Sequence, residues 1–395
     1  MTPRVLMVVG AYYPELAGGS LQCRTLVAAL RGRASCSVLA TTGDRALPRE
    51  SEIDGVPVHR VFVDAQRPAT KAAAALRVLS LAPRLVSSAD IFHFHGFTEK
   101  MLLLAAIARL SGRRTIEKMT SVGWDDPLAI RSRRFGRWLA AGIRGADRIV
   151  AVSPAMRERC RHVGLKDAKI RTIPNGVDTA RFVPAPAAVR AASRARLGLP
   201  SGLPIVAFIG FWSAEKGPDV LFRAWLAARE AAGADSALLY VGSTDEAHAE
   251  VDRSRVRHVR ARIGQLGLAD RVIFVERTSD VASYLQASDL FAMPSSREGL
   301  SNALLEAMAC GLPCIAAAIP GVTDSVIEDG ASGFIVPPGD ERALASVLTM
   351  LLRDRGMMEE VGRRARQTIL ERYAIDAVAD RYLALYGELL GGRRG

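Results

Sequence analysis

The chain has 395 residues, 49% of them hydrophobic and 24% charged, with a net charge of +12. That is the balance of a soluble globular protein too long for a single core, so two domains are expected. No apolar run reaches the roughly 18 residues needed to cross a bilayer, and the five cysteines form no CxxC pair, which sets aside a membrane span, a metal–thiolate site and a disulfide scaffold.

The first predicted strand, Val5–Val9, runs into Gly-Ala-Tyr-Tyr-Pro rather than a cleavage site, so no signal peptide is read and a cytoplasmic location is expected. A helix follows Gly18-Gly19. Strands at Ser37–Ala40 and Val58–Val63, a helix over 70–86, a strand at Ile91–Phe94 and a helix over 99–110 come next. Beyond them the pattern predicts a strand at Arg114–Met119, a basic helix within Arg131–Arg144, a strand at Arg148–Val152, a helix after Ser153-Pro154 and a strand at Lys169–Ile173. A second series begins at Ile205–Ile209 and continues through Ala237–Val241, Val272–Val275, Leu290–Met293, Pro313–Ala317 and Phe334–Val336. Alternation of this kind requires crossover connections and mainly parallel sheets, hence two doubly wound α/β domains. The Pro/Ala-rich stretch from Val183 and the turn at Leu199–Pro204 mark the linker between a first domain over 1–185 and a second over 186–374.

Ligands of such sheets bind beyond the carboxyl ends of the strands, and two domains facing one another make a cleft. The chemistry-bearing residues fall at those ends: Gly18-Gly19 after the first strand, Lys216-Gly217 after the first strand of the second series, and Glu298 after Leu290–Met293. Between Glu298 and Pro313 the chain reads as a loop entering a helix. Ser301 or Asn302 can cap that helix by accepting a backbone N–H. Its amides then face an anion, Gly299 permits close backbone approach, and Glu306 projects a second carboxylate roughly one turn further in. A diphosphate at the amides and a polyol at the acids suit this arrangement.

Of the remaining features, His93 and His95 alternate on one strand and share a face, and with no third ligand nearby they read as a polar strand end rather than a metal pair. Asp125-Asp126-Pro127 reads as turn capping. The arginines of Arg131–Arg144 interleave with Phe135, Trp138, Leu139 and Ile143. This pattern fits either a surface helix on its own domain or one resting on an acidic lipid surface. No nucleic-acid-binding module accompanies the positive charge.

Four passages resemble the retaining GT-B glycosyltransferases of glycosyltransferase family 4. They are Tyr13-Pro-Glu-Leu-Ala-Gly-Gly19; Ala151-Val-Ser-Pro with Ile173-Pro-Asn-Gly-Val-Asp178; Gly210-Phe-Trp-Ser-Ala-Glu-Lys-Gly217; and Pro294-Ser-Ser-Arg-Glu-Gly-Leu-Ser-Asn302 with its continuation to Pro313. The resemblance implies a GT-B fold of two Rossmann-like domains facing across a cleft, with the last helix, within 375–395, crossing back to the first domain. It also implies transfer of a sugar from a nucleotide diphosphate donor, held by the second domain, to an acceptor hydroxyl held by the first. By the match Glu306 accepts from the ribose hydroxyls and Glu298 holds the donor sugar. Lys216, with the amides of Leu300, Ser301 and Asn302, stabilises the departing diphosphate. Gly19, Gly299 and Arg277 are carried over as donor contacts. No cofactor and no metal is implied; the nucleotide sugar is a co-substrate.

Two positions depart from the family pattern. Phe211 stands where an arginine is common, and Glu117-Lys118-Met119-Thr120 stands where a histidine is often found, so Lys118 is a candidate for the lost positive charge near the donor. Three readings follow: an active transferase with a lipid-linked or a soluble sugar acceptor, touching the inner face of the membrane through Arg131–Arg144 in the first case; a catalytically silent nucleotide-sugar-binding protein; and an epimerase, which would need different acids.

Overall fold

The computed structural model describes residues 2–391 apart from Leu16, Ala65, 97–100, Trp124, 133–135, Ala234, 246–250 and Arg277. The chain forms two units, Met1–Gly176 with Ile375–Gly395, and Val177–Ala374. Each is a Rossmann-like α/β layer structure built on its own sheet.

The first unit holds β1 (Arg4–Val9), β2 (Ser35–Thr42), β3 (Glu50–Ile53), β4 (Val56–Phe62), β5 (Ile91–His95), β6 (Arg114–Met119), β7 (Arg148–Ala151) and β8 (Ile170–Thr172). They lie in the order β3-β4-β2-β1-β5-β6-β7-β8. All neighbours are parallel except β3 and β4. β3 is absent from the sequence expectation because Glu-Ser-Glu-Ile carries no apolar alternation. Its signal was the turn, Asp54-Gly55, where both residues take positive φ (52° and 75°) and close a tight hairpin onto β4. The basic segment is also not one helix throughout. The structure describes helices Pro127–Arg131 and Gly136–Arg144, and Arg133, Arg134 and Phe135 between them lie outside the described residues.

In the second unit β9 (Ile205–Ile209), β10 (Ala237–Val241), β11 (Val272–Val275), β12 (Leu290–Met293), β13 (Cys314–Ala317) and β14 (Phe334–Val336) run in the order β11-β10-β9-β12-β13-β14. Every pair is parallel. Helices cover both faces of both sheets, so the central strands β5, β10, β12 and β13 are buried along their whole length. This explains why they read as continuous apolar runs.

The helix Ile375–Gly391 belongs to the first unit, and its sequence shows why. Ile375, Val378, Ala379, Tyr382, Leu385, Tyr386 and Leu389 repeat every three or four residues and join Val5, Met7 and Val9 in one core. Each aliphatic side chain so buried contributes about 1.5–3 kcal/mol. The chain leaves the first unit at Gly176, ahead of the Pro-rich stretch from Val183 that composition marks as a linker. The reason is that residues beyond Gly176 are fastened to the second unit. Val177 pairs with Ala374, and the Arg366 guanidinium donates to the carbonyls of Thr179 and Phe182. Further on, the helix Ala187–Leu197 is anchored by buried Arg194, which donates to the carbonyls of Ala287 and Leu203 and to the Asp289 carboxylate at 2.6 Å.

The helix Asn302–Ala309, which carries Glu306, is positioned by backbone contact at its far end. Gly362, in the helix Arg355–Arg372, has no room for a Cβ because the Gly311 carbonyl occupies that space. Gly362→Ala is expected to force the two backbones apart and to cost about 1–3 kcal/mol, the range for overpacking, read as a lowered midpoint in urea unfolding.

Candidate functional site

The strand order of the second sheet reverses between β9 and β12, which neighbour each other although they are not consecutive. At such a reversal the connections leave in opposite directions and open a crevice at the carboxyl ends. Both loops that begin there carry candidate residues. After β9, Gly210–Lys216 forms a turn in which the Lys216 amide donates to the Ser213 carbonyl at 3.2 Å. Gly217 then caps the helix Pro218–Ala232 with φ of +62°, and a Cβ on it would lie 3.1 Å from the Pro294 carbonyl. Only glycine fits this close approach of the two loops.

After β12, Pro294–Ser301 leads to the second helix. The loops are tied by the Ser296 amide donating to the Glu215 carbonyl at 2.8 Å, and by an ion pair of Arg297 with Glu215. This fastening brings the Lys216 ammonium to 2.6 Å from Glu298 Oε1. The Glu298 side chain is 10% exposed and that of Lys216 29%, so the pair is only partly shielded. Of the two caps allowed by the sequence, Ser301 is the one used. Its side chain accepts from the Leu304 amide at 3.3 Å, and Asn302 becomes the first helical residue. Gly299, Leu300 and Ser301 are buried, and the helix they introduce presents its positive end immediately after Glu298 in the chain.

Glu306 sits in the same helix. Loss of hydration pushes its carboxyl up to about 8, although part of the side chain remains open to solvent; the opposing charge is Arg181. Sequence reasoning missed Arg181. It lies just past Pro174-Asn-Gly-Val-Asp178, where Asp178 Oδ1 accepts from the amides of Ala180 and Arg181 at 3.0 Å and so fixes the turn. The Arg181 guanidinium in turn donates to the Ser279 carbonyl at 2.6 Å, so it holds the loop after β11 beside Glu306. The signal was a cation a fixed short distance beyond a capped turn. Arg277, the donor contact expected in that loop, lies outside the described residues.

The other expected residues belong to the first unit. Gly19 is exposed in the first turn of the helix Gly18–Ala29, with open space where a side chain would stand. Lys118, near the end of β6, is 2% exposed and 5.8 Å from the Tyr382 ring centroid. Burial lowers its pKa to about 8, against the raising charges of Cys23 and Asp125. Beside it on β5, fully buried His93 meets the Tyr386 hydroxyl at 2.9 Å, and its ring lies 4.3 Å from that of His95. Both imidazoles are held well below their ordinary pKa by burial and, among other charges, by the Lys118 ammonium. Among the described residues no group of three or more potential ligands could hold a metal. Asp126 caps the helix Pro127–Arg131, and Asp125 accepts from the amides of Thr120 and Ser121. In the helix Gly136–Arg144, Leu139 and Ile143 turn into the core of their own unit while Trp138 is 77% exposed.

Comparison with known proteins agrees with this organisation. Residues 17–181 match the family described as Glycosyltransferase Family 4, and residues 189–368 that described as Glycosyl transferases group 1. The chain is 34% identical over 260 residues to a D-inositol 3-phosphate glycosyltransferase of Kineococcus radiotolerans, a match covering 62% of this chain and 58% of that protein, so it spans little more than half of that relative's length. It is 30% identical over 332 residues to a GDP-mannose-dependent alpha-(1-6)-phosphatidylinositol monomannoside mannosyltransferase of Mycolicibacterium smegmatis, covering 80% of this chain and 81% of that one. The fold matches that of Anabaena HepE, crystallised with UDP and glucose, with a TM-score of 0.77 at 18% identity over 97% of this chain and 99% of that one.

The raised pKa of Glu306 has a stability consequence. Its ionised form is penalised by folding, so the penalty grows as pH rises above the unfolded value of 4.5 and is complete above about 8. Glu306→Gln is therefore expected to raise the unfolding midpoint at alkaline pH by at least about 2–4 °C, the shift that roughly 1 kcal/mol produces in a unit of this size. Thermal melts across pH should show the gain disappearing toward acid.

Proposed function

The chain belongs to glycosyltransferase family 4, and from that premise we propose that it moves a sugar from a nucleotide diphosphate donor to an acceptor hydroxyl with retention of configuration. The observation that carries this reading is the Lys216–Glu298 pair at the strand-order reversal of the second sheet, beside a capped helix N-terminus. In the proposed reaction the bond from the anomeric carbon to the diphosphate oxygen breaks and a bond to the acceptor oxygen forms on the same face. The acceptor proton passes to the leaving diphosphate.

Each residue then has a physical task. Lys216, with the amides of Leu300, Ser301 and Asn302, meets the negative charge that grows on the diphosphate, and it does so in place of a metal. Glu298 accepts from hydroxyls of the donor sugar and supports positive charge at the anomeric carbon. Gly299 leaves room for the backbone to approach. Glu306 accepts from the ribose hydroxyls; because its carboxyl titrates near 8 when empty, those donors bind best to the ionised form. Gly19 is assigned to the donor by family position alone, and Lys118 by its place at a strand end where a histidine is common in the family. The acceptor is a sugar or a lipid-linked hydroxyl compound, used in the cytoplasm or at its membrane face, and the exposed Trp138 supports a peripheral contact there.

A thermal-shift panel of nucleoside diphosphates and nucleotide sugars tests the reading, since a ligand at a hundred times its Kd stabilises by about 2.7 kcal/mol. No response to any nucleotide would overturn it, and binding without turnover would identify a silent nucleotide-sugar-binding protein instead. Glu298→Gln is expected to lower kcat by about 10²-fold or more with little change in nucleotide affinity, the scale of losing one transition-state contact. Glu306→Gln is expected to weaken nucleotide binding and to abolish the rise in affinity with pH through about 8. Salt-sensitive flotation with anionic vesicles, reduced by Arg131→Ala with Arg144→Ala, is the outcome expected for a membrane-bound acceptor.

A further inference from the structure

The first unit holds a cavity of about 550 Å³ at the carboxyl ends of β2 and β4, lined by Arg45, Arg49, Arg60 and Arg77 with a single acid, Asp44. Its size is that of a small-ligand site, and it opens at the sheet edge where α/β folds bind ligands.

Few acids answer these arginines. Arg60 is 3% exposed, and among the described residues its guanidinium donates to the Tyr13 carbonyl at 2.8 Å, the Ser51 hydroxyl at 2.7 Å and the Pro48 carbonyl at 3.3 Å, while Glu15 is the acidic charge that acts on it without an ion-pair contact. Arg45 lies over the Phe62 ring at 4.5 Å. Among the described residues none of Arg45, Arg49 and Arg60 forms an ion pair, whereas Arg77 reaches Glu50 only at 4.0 Å and shares it with Arg84. Four like charges around one cavity repel each other, and burial opposes the charge on Arg60 more than Glu15 supports it. An anion in the cavity removes both penalties. The planar guanidinium fork suits phosphate oxygens, which it contacts in pairs. Thr42 and Thr70 add hydroxyls to the lining, and Val61, Ala73 and Ala74 give one wall an apolar surface for the carbon part of the guest.

We propose that this cavity binds a phosphate group, and that on the transferase reading the group belongs to the acceptor, making this protein specific for a phosphorylated acceptor. Only the word acceptor rests on that reading; the phosphate site stands on the first unit alone.

The test is a titration of the full chain with inorganic phosphate at constant ionic strength. It uses Arg45→Ala/Arg49→Ala, whose side chains are exposed and outside the core, Lys216→Ala, and a control pair Arg355→Ala/Arg363→Ala. The expected result is one phosphate-binding event weakened about tenfold or more in the first variant, the scale of one charge-assisted hydrogen bond, and kept in the other two. Unchanged binding in Arg45→Ala/Arg49→Ala, or an equal loss in the control pair, overturns the proposal. Nucleotide thermal shifts in the same variants report the donor reading separately, because they depend on the second unit. Competition by glucose 6-phosphate assigns the site to a soluble phosphate. Flotation with phosphatidylcholine vesicles containing phosphatidylglycerol, lost in Arg45→Ala/Arg49→Ala, assigns it to a lipid headgroup.

Discussion

Lys216 and Glu298 stand 82 positions apart in the chain and 2.6 Å apart in space, and the candidate site depends on that contact. What makes it obligatory is the order of a parallel sheet. Parallel strands place all their carboxyl ends on one edge, and the reversal between β9 and β12 puts the two loops side by side with no connection crossing between them. Gly217 then allows the loops to touch, and the Glu215 carbonyl and carboxylate fasten one to the other. The ion pair is thus held by backbone geometry on both sides rather than by its own attraction, which a partly exposed pair supplies only weakly.

Charge in this unit is not arranged for stability alone. Glu306 is held in a setting that opposes its ionisation, and Arg181 answers it from a turn fixed by Asp178. Well-packed neighbours offset the cost: Trp212, Tyr240 and Phe274 cluster with ring centroids within 5.6 Å behind the strand ends. Away from the site, charges are matched conventionally, as in Asp235 between Arg229 and Arg271.

The first unit shows the same tension in a different form. Its strand ends bury His93, His95 and Lys118 together, and no imidazole there can take up a proton readily because the neighbouring ammonium and the lack of water both oppose it. On the other side of β1 in the same sheet, four arginines surround the cavity at β2 and β4 with Asp44 as the one acid in its lining. Burial thus keeps the two imidazoles neutral beside a cationic Lys118, whereas the arginines of the cavity keep their charge at the opposite part of the same sheet edge.

The sequence by itself determined the alternation of strands and helices, because apolar runs buried on both faces and capped helix starts are local signals. It also marked Glu298, Glu306 and Lys216, each lying at a strand end or in the helix that follows. Apolar pattern alone left out β3, whose only local signal is the Asp54-Gly55 turn, and it could not choose Ser301 over Asn302 as the cap. The place where the chain passes from one unit to the next was likewise hidden, since Arg366 and the pairing of Val177 with Ala374 act across long separations. Only the tertiary structure decided that Lys216 meets Glu298, that Arg181 answers Glu306, and that four arginines from two strand ends and a helix share one cavity. Such contacts follow from strand order and loop packing, which no periodicity along the chain encodes.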